Sequence, residues 1–263
     1  MSSHPREWDA AAYHAVSAPQ VGWGLRVLAR LPLAGDERVI DAGCGTGRLT
    51  AHLLERLPHG RVLGLDRSLN MVRLAHQHLA PRFGGRVRVA CADLLALPVV
   101  GWADRVFSTA TFHWVPDHEC LFRGLFGALR PGGRLVAQCG GAGNLDRTHE
   151  IIRRVMARPR FAPAFSTWTD PWEFATPRTT VARLRAAGFV EAEASLEEAP
   201  TPFATARAFT DFVVPVVLRP FLARLPDGPV RQAFIEGVAE EAGRATPAYH
   251  LDYVRLNLQA RRP

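Results

Sequence analysis

Between Val39 and Thr50 the sequence reads VIDAGCGTGRLT, an aspartate followed by alternating glycines, Asp41-x-Gly43-x-Gly45-x-Gly47. An ordinary strand-to-helix turn explains one or two glycines, but not this run. Glycine allows positive φ and removes the Cβ, so a ligand can rest on bare peptide beside a helix N-terminus. The spacing argues against a dinucleotide. G-x-G-x-x-G counted from Gly43 and Gly45 requires a third glycine where Arg48 stands. A P-loop requires lysine, and the chain has none. An acid just before the glycines repels a pyrophosphate and suits a ligand with a positively charged amino group.

Other candidate groups recur at comparable places. Asp66 ends the apolar run RVLGLD, Asp93 ends RVRVACAD, and Thr109, His113 and Trp114 follow the run DRVFS. Each run has the length and branching of a buried strand. Helical spacing is expected over 47–57, stopped by Pro58, and over SLNMVRLAHQHLA with Ser68 as cap. CLFRGLFGALRPGGRLVAQCGG reads as helix, turn and fifth strand. Strands alternating with helices predict βαβ units and a parallel sheet, with ligands beyond the strands' carboxyl ends. The acids and the glycine loop therefore converge on one crevice. Further along, TPRTTVARLRAAGF predicts a helix, VEAEASLEEA a strand and LDYVRLNLQARR a terminal strand.

The bulk properties narrow the function classes. The 263 residues carry a net charge of +7, with a sequence pI near 10.2. The arginines are scattered, however, which disfavours nucleic acid as a partner. No apolar run spans a bilayer and the N-terminus lacks a secretory stretch, so the expected compartment is the cytoplasm. Cys44, Cys91, Cys120 and Cys139 form no C-x-x-C pair. They are read as buried reduced thiols, and no metal site is expected.

VIDAGCGTGRLT, VLGLDRS, ACADLLALP, DRVFSTATFHWVPD and LRPGGRLVAQ, in this order across residues 36–142, resemble the motifs of class I S-adenosylmethionine-dependent methyltransferases. TFHWV and GGAGNL are most similar to the trans-aconitate and malonyl-carrier-protein methyltransferase branch. The resemblance implies an α/β, doubly wound Rossmann-like, mostly parallel seven-stranded sheet with helical lid insertions. The expected division is an N-terminal helical lid (1–35), a cofactor-binding core (36–142) and a lid insertion (143–175). A core helix and strand (176–200), a second helical lid insertion (201–248) and a terminal core strand (249–263) complete it.

The resemblance also implies roles. Asp41 would face the amino group of the S-adenosylmethionine methionine moiety, with Gly43, Cys44, Gly45 and Gly47 packed against the cofactor. Asp66 would accept both ribose hydroxyls, and Arg67 and Met71 would flank the adenine. Asp93 would accept from its exocyclic amine and the Leu94 amide would donate to the ring. Thr109 would line the methionine end, and Tyr13, Gln20 and Trp23 could form a lid. His113 is a candidate base, although it stands one position earlier than the histidine of some O-methyltransferases. Trp114 would pack at the boundary with the substrate. His149, Arg153 and His250 are possible anion contacts, and Phe161, Phe165, Trp168 and Trp172 form an aromatic cluster that lines a pocket or packs a lid. The implied activity is methyl transfer to a small-molecule acceptor, a carboxylate or hydroxyl being favoured. The alternatives are an RNA or protein methyltransferase, or a non-catalytic cofactor-binding protein.

Overall fold

The computed structural model of the protein describes residues 7, 8, 10, 18–97 and 99–263. The chain divides into two compact units, residues 1–141, 173–196 and 256–263 in the first and 142–172 with 197–255 in the second.

The first unit contains helix α1 (Ala18–Arg30), strand β1 (Arg38–Ala42), helix α2 (Arg48–Glu55), β2 (Arg61–Asp66), α3 (Leu69–Phe83) and β3 (Val87–Cys91). These are followed by β4 (Ala103–Thr109), α4 (His118–Ala128) and β5 (Leu129–Gly140). Ser68 caps α3 by accepting from the Met71 N–H, and Asp117 caps α4 by accepting from the Cys120 N–H at 2.9 Å. The chain leaves this unit at Gly141 and returns to it at Glu173.

The second unit holds α5 (Asp146–Met156) in its first segment. Back in the first unit come α6 (Pro177–Ala186) and β6 (Val190–Glu198). The second segment of the second unit then supplies β7 (Thr201–Pro202), α7 (Ala206–Val213), α8 (Pro229–Arg244) and β8 (His250–Leu251), and β9 (Val254–Arg261) ends the chain.

The seven-stranded sheet runs β3-β2-β1-β4-β5-β9-β6. Strands β1 to β5 pair in parallel, with Ile40 beside Leu63 on one side and beside Val106 on the other. Backbone bonds join Gly132 to Arg262, while side chains join Gln138 to Asn257, so β9 runs against β5. Side-chain pairs of Glu191 with Arg261 and Glu193 with Gln259 likewise set β6 against β9.

Side chains alternate across the sheet, so each strand feeds two cores. Val39, Phe107 and Val136 pack with Val27, Leu28, Leu53 and Leu79 on one face. Ile40, Val106 and Leu135 pack with Phe112, Phe122, Leu125 and Leu184 on the other. Helix α1 contributes Val27, Leu28 and Leu31 to the first of these cores. The spacing of Val27, Leu28 and Leu31 gives it a buried apolar stripe.

The second unit has its own aromatic interior. Trp168 stacks on Phe221 at 4.6 Å, His149 stacks on Trp172 at 4.8 Å, and Phe161 meets Phe234 edge-on at 5.2 Å. Asp252 holds the start of α5 by accepting from the Arg147 and Thr148 N–H groups at 2.8 and 3.1 Å.

The thiols divide. Cys44 and Cys139 are buried as expected, but Cys120 is only partly covered and Cys91 is exposed. Cys91 ends β3, which is the edge strand of the sheet among the described residues. No helix among the described residues is long and apolar enough to cross a membrane.

Candidate functional site

Strand order reverses between β1 and β4, and the glycine loop leaves β1 at that switch point. All three motif glycines have positive φ: 85° at Gly43, 54° at Gly45 and 82° at Gly47. Their surroundings differ. A Cβ at Gly43 would stand 2.0 Å from Thr111 Oγ1, and one at Gly47 would stand 2.8 Å from Leu79 Cδ1. A Cβ at Gly45 would meet no protein atom within 4 Å. Gly43 and Gly47 are therefore required by the protein's own packing, against the β4–α4 loop and α3. Gly45 is the position that presents bare peptide to open space. This narrows the expectation that all three glycines make room for a ligand.

The acids lie around that peptide. Asp66 Oδ2 accepts from the Gly45 N–H and Oδ1 from the Ser68 N–H, both at 2.9 Å. Asp41 is buried, and its Oδ2 accepts from the Thr50 hydroxyl at 2.6 Å. Burial pushes the Asp41 carboxyl up to about 7, against the Thr50 hydrogen bond and with the nearby Asp66 charge adding to the rise. Burial also raises the Asp66 carboxyl, opposed by its backbone hydrogen bonds. Two desolvated carboxyls beside open, Cβ-free backbone fit a ligand that brings positive charge and hydroxyl donors. Burial, with Asp41 and Asp66 adding, pushes the Cys44 thiol well up, so it stays a neutral packing group against Gly64.

At the next strand tips, Asp93 Oδ1 accepts from the Leu95 N–H at 3.0 Å, and its Oδ2 lies 3.8 Å from Arg67 Nε. That ion pair is exposed and worth little by itself, about 0–1 kcal/mol. Leu94 and Met71 are buried, Leu94 opening a short 3-10 turn and Met71 lying in the first turn of α3.

Beyond β4, the Thr111 hydroxyl reaches the Thr109 carbonyl at 2.9 Å and the Gly43 carbonyl at 3.4 Å, tying this loop to the glycine loop. His113 is buried; its Nδ1 accepts from the Gly140 N–H at 3.2 Å, and its carbonyl accepts from the Glu173 N–H at 2.9 Å.

Two residues that the sequence did not single out complete the frame. The Glu7 carboxylate accepts from Ser68 Oγ at 2.6 Å and from the Leu69 and Asn70 N–H groups at 3.2 and 3.1 Å. Trp8 donates its N–H to Ser68 Oγ at 3.4 Å and stands edge-on to Trp114 at 5.7 Å. Ser68 follows β2, Trp114 follows β4, and β1 lies between those strands. The Glu7–Trp8 segment therefore touches the segments that follow both β2 and β4.

The Methyltransferase domain family matches residues 39–133. Trans-aconitate 2-methyltransferase of Methylobacterium nodulans is 32% identical over 273 residues, covering 97% of this chain and 98% of its own. The enzyme of the same name from Sinorhizobium fredii is 32% identical over 92% of this chain and 91% of its own. The chain belongs to the class I S-adenosylmethionine-dependent methyltransferases. Among solved structures, Haemonchus contortus phosphoethanolamine N-methyltransferase 2 in complex with S-adenosyl-L-methionine shares the methyltransferase fold. Its TM-score is 0.63 at 18% identity, with 97% of this chain and 56% of that chain covered.

The other residues considered from the sequence are divided between the two units. Trp23 is buried within α1. Tyr13 and the side chain of Gln20 lie outside the described residues. His149, Trp168 and Arg153 belong to the second unit. Burial holds the His149 ring below the usual imidazole range, which disfavours its charged form. Arg153 is paired with Asp170 at 2.8 Å, and the same carboxylate holds Trp168 Nε1 at 2.8 Å. His250 lies in β8 and pairs across to Pro202. Thr50 and Thr111 lie within the motifs VIDAGCGTGRLT and DRVFSTATFHWVPD, but the motifs give them no role. Their weight comes from facing Asp41 and Gly43 in space.

Proposed function

We propose that this methyltransferase transfers the methyl group to a carboxylate of a small, multiply charged organic acid, trans-aconitate being the first candidate. The observation that carries the reading is the likeness, over 97% of the chain, to a protein named trans-aconitate 2-methyltransferase. A carboxylate is ionised at neutral pH and needs no base to become a nucleophile. S-adenosylmethionine, when bound, supplies an electrophilic methyl on a sulfonium.

The chain's own residues then bind, orient and exclude water. Asp66 receives the ribose hydroxyls, Asp41 supplies negative charge for the cationic methionine end, and Gly45 gives the backbone approach. Asp93, Leu94, Arg67 and Met71 frame the adenine, while Thr109 closes the methionine end. Trp114, with Trp8 across its edge, bounds the acceptor side. Holding acceptor and methyl in line contributes on the order of 7–11 kcal/mol in well-oriented systems.

Incubation with methyl-labelled cofactor and a panel of small acids, alcohols, RNA and protein tests this reading. The expected product is a methyl ester of a small acid, which releases label as methanol in mild base. Label that is base-stable or confined to a macromolecule would overturn it.

Asp41 adds a proton-linked expectation. Its folded value of about 7 lies above the ordinary carboxylate value of 3.8. The unliganded fold therefore gains stability from the protonated form, fully present below about pH 4 and lost as pH rises through about 7. A cationic ligand favours the ionised form instead. Cofactor affinity should thus rise between about pH 6 and 8, with proton release on binding at the lower pH. Calorimetry in buffers of different ionisation enthalpy measures that release. Asp41→Asn should remove it, and proton-neutral binding by the native chain would show that Asp41 does not meet the ligand's charge.

A further inference from the structure

We propose that Thr50 is a positioning residue of the cofactor site: its hydroxyl clamps the buried Asp41 carboxyl across the glycine loop and sets how much of a proton leaves when the cofactor binds. The proposal rests on the reading of Asp41 as the partner of the cofactor's cationic end, and names the residue that tunes it.

The argument begins with how α2 starts. Its N-cap is Gly47, at φ 82°, which has no side chain to cap the helix. Thr50 lies in the first turn, buried. A threonine inside a helix ordinarily bonds its hydroxyl to a nearby carbonyl of its own backbone. Here the hydroxyl leaves the helix and donates to Asp41 Oδ2 at 2.6 Å. Asp41 stands before Gly43 and Thr50 after Gly47, so this bond closes the loop that carries the open Gly45 peptide. Within the loop, the Gly47 N–H reaches the Cys44 carbonyl at 3.0 Å and the Ala51 N–H reaches the Gly47 carbonyl at 2.9 Å.

The two acids of the site are held differently. Asp66 accepts from two backbone amides, those of Gly45 and Ser68. Among the described residues, Asp41 accepts from the Thr50 hydroxyl alone. Burial and the Asp66 charge oppose ionisation of Asp41, and the Thr50 bond favours it. The balance leaves the carboxyl at about 7, where loss of one donor changes its proton occupancy most.

The neighbours leave that control with Thr50. On β2, Gly64 is in register with Asp41, and Asp66 is the charge that acts on it. Glu7 acts on Asp66 in turn. On β4, Phe107 is in register with Asp41 and Ser108 follows it, and neither is an acid or a base. In the glycine loop, Cys44 is a thiol that Asp41 and burial keep neutral. Helix α2 carries Arg48 in the same turn as Thr50 and His52 and Glu55 further on, and His52 pairs with Glu55 at 3.1 Å.

Calorimetry with S-adenosylhomocysteine at pH 7, in buffers of different ionisation enthalpy, counts the protons. The native chain should release about half a proton, since a group titrating near 7 is half protonated there. Thr50→Val removes the hydroxyl at nearly constant volume. Loss of a hydrogen bond to a charged group should move Asp41 up by about 1–2 pH units. Release should then approach one proton, with affinity about 5- to 50-fold weaker at pH 7 and the gap to the native chain closing towards about pH 9. Thr50→Ser keeps the donor and should restore both native readings. A loss in Thr50→Val that is equal at every pH, with the native proton count, would show that Thr50 only packs, and would overturn the proposal.

Carboxyl-carbon NMR on the native chain, with aspartate labelled and Asp41 assigned by substitution, gives a reading that needs no folded valine variant. Asp41 should titrate near 7, and a midpoint at the ordinary 3.8 would overturn the proposal too. The underlying reading of Asp41 fails separately. If Asp41→Asn binds like the native chain with the same proton release, Asp41 does not meet the ligand's charge. If Asp41→Asn abolishes the release and Thr50→Val leaves it native, only the assignment of Thr50 is wrong.

Discussion

Gly45→Ala is expected to fold and to lose its cofactor, whereas Gly43→Ala is expected to lose stability. The contrast follows from what a Cβ meets at each position. At Gly45 it enters open space, so the fold is charged only for a left-handed alanine at φ 54°. That cost is about 1–2 kcal/mol, a fall in Tm of roughly 2–8 °C for a chain of this size. The same methyl stands where a ligand would rest on bare peptide, and overpacking of that kind costs about 1–3 kcal/mol, or roughly 5- to 150-fold in affinity. At Gly43 the methyl collides with Thr111 Oγ1, Cγ2 and Cβ at 2.0, 2.4 and 2.6 Å, on top of a φ of 85°. Strain and overpacking together cost about 2–5 kcal/mol. Adding Thr111→Gly should return part of the Gly43→Ala loss, because it empties the volume the methyl needs. Thermal unfolding and cofactor calorimetry on the single and double variants separate these effects. Equal stability losses at Gly43 and Gly45 would show that the two glycines are not divided between packing and ligand.

The second large effect is expected at Asp66. Its two oxygens hold the Gly45 and Ser68 N–H groups at 2.9 Å each, and so fix the open peptide and the start of α3 relative to each other. Asp66→Ala removes both bonds together with the acceptor proposed for the ribose hydroxyls. Hydrogen bonds to a charged group contribute about 1.5–3 kcal/mol apiece. Loss of a bidentate contact predicts cofactor binding weakened by about 100-fold or more. Asp66→Asn should recover little, because its amide NH2 would face one of the two backbone donors. Affinity for S-adenosylhomocysteine in either variant is the measurement, and a native value would remove Asp66 from the cofactor site.

Much of this protein was legible before its structure was. The alternation of short apolar runs with helical stretches specified a doubly wound α/β sheet, and the acids at the ends of β1 and β2 and just past β3 marked one edge of it. Such signals are local. A strand or helix announces itself through its own period, and the residue at a strand's end is known once the strand is known. The Ser68 cap and the stop before Pro58 were readable for the same reason.

Other features were settled only by residues distant in the chain. Which motif glycine faces a ligand depends on Thr111, 68 positions from Gly43, and on Leu79 beside Gly47. What His113 Nδ1 bonds to is the Gly140 amide 27 positions later. The exposure of Cys91 follows from β3 lying at the sheet's edge among the described residues, and the Glu7–Trp8 segment touches the segments that follow β2 and β4. By itself the sequence determined which elements form and which chemical groups stand at their ends, because those properties depend on neighbours within a few residues. Tertiary structure alone decided which face each group presents, what fills the space beside it and where its proton sits, because those are set by atoms that only folding brings within contact.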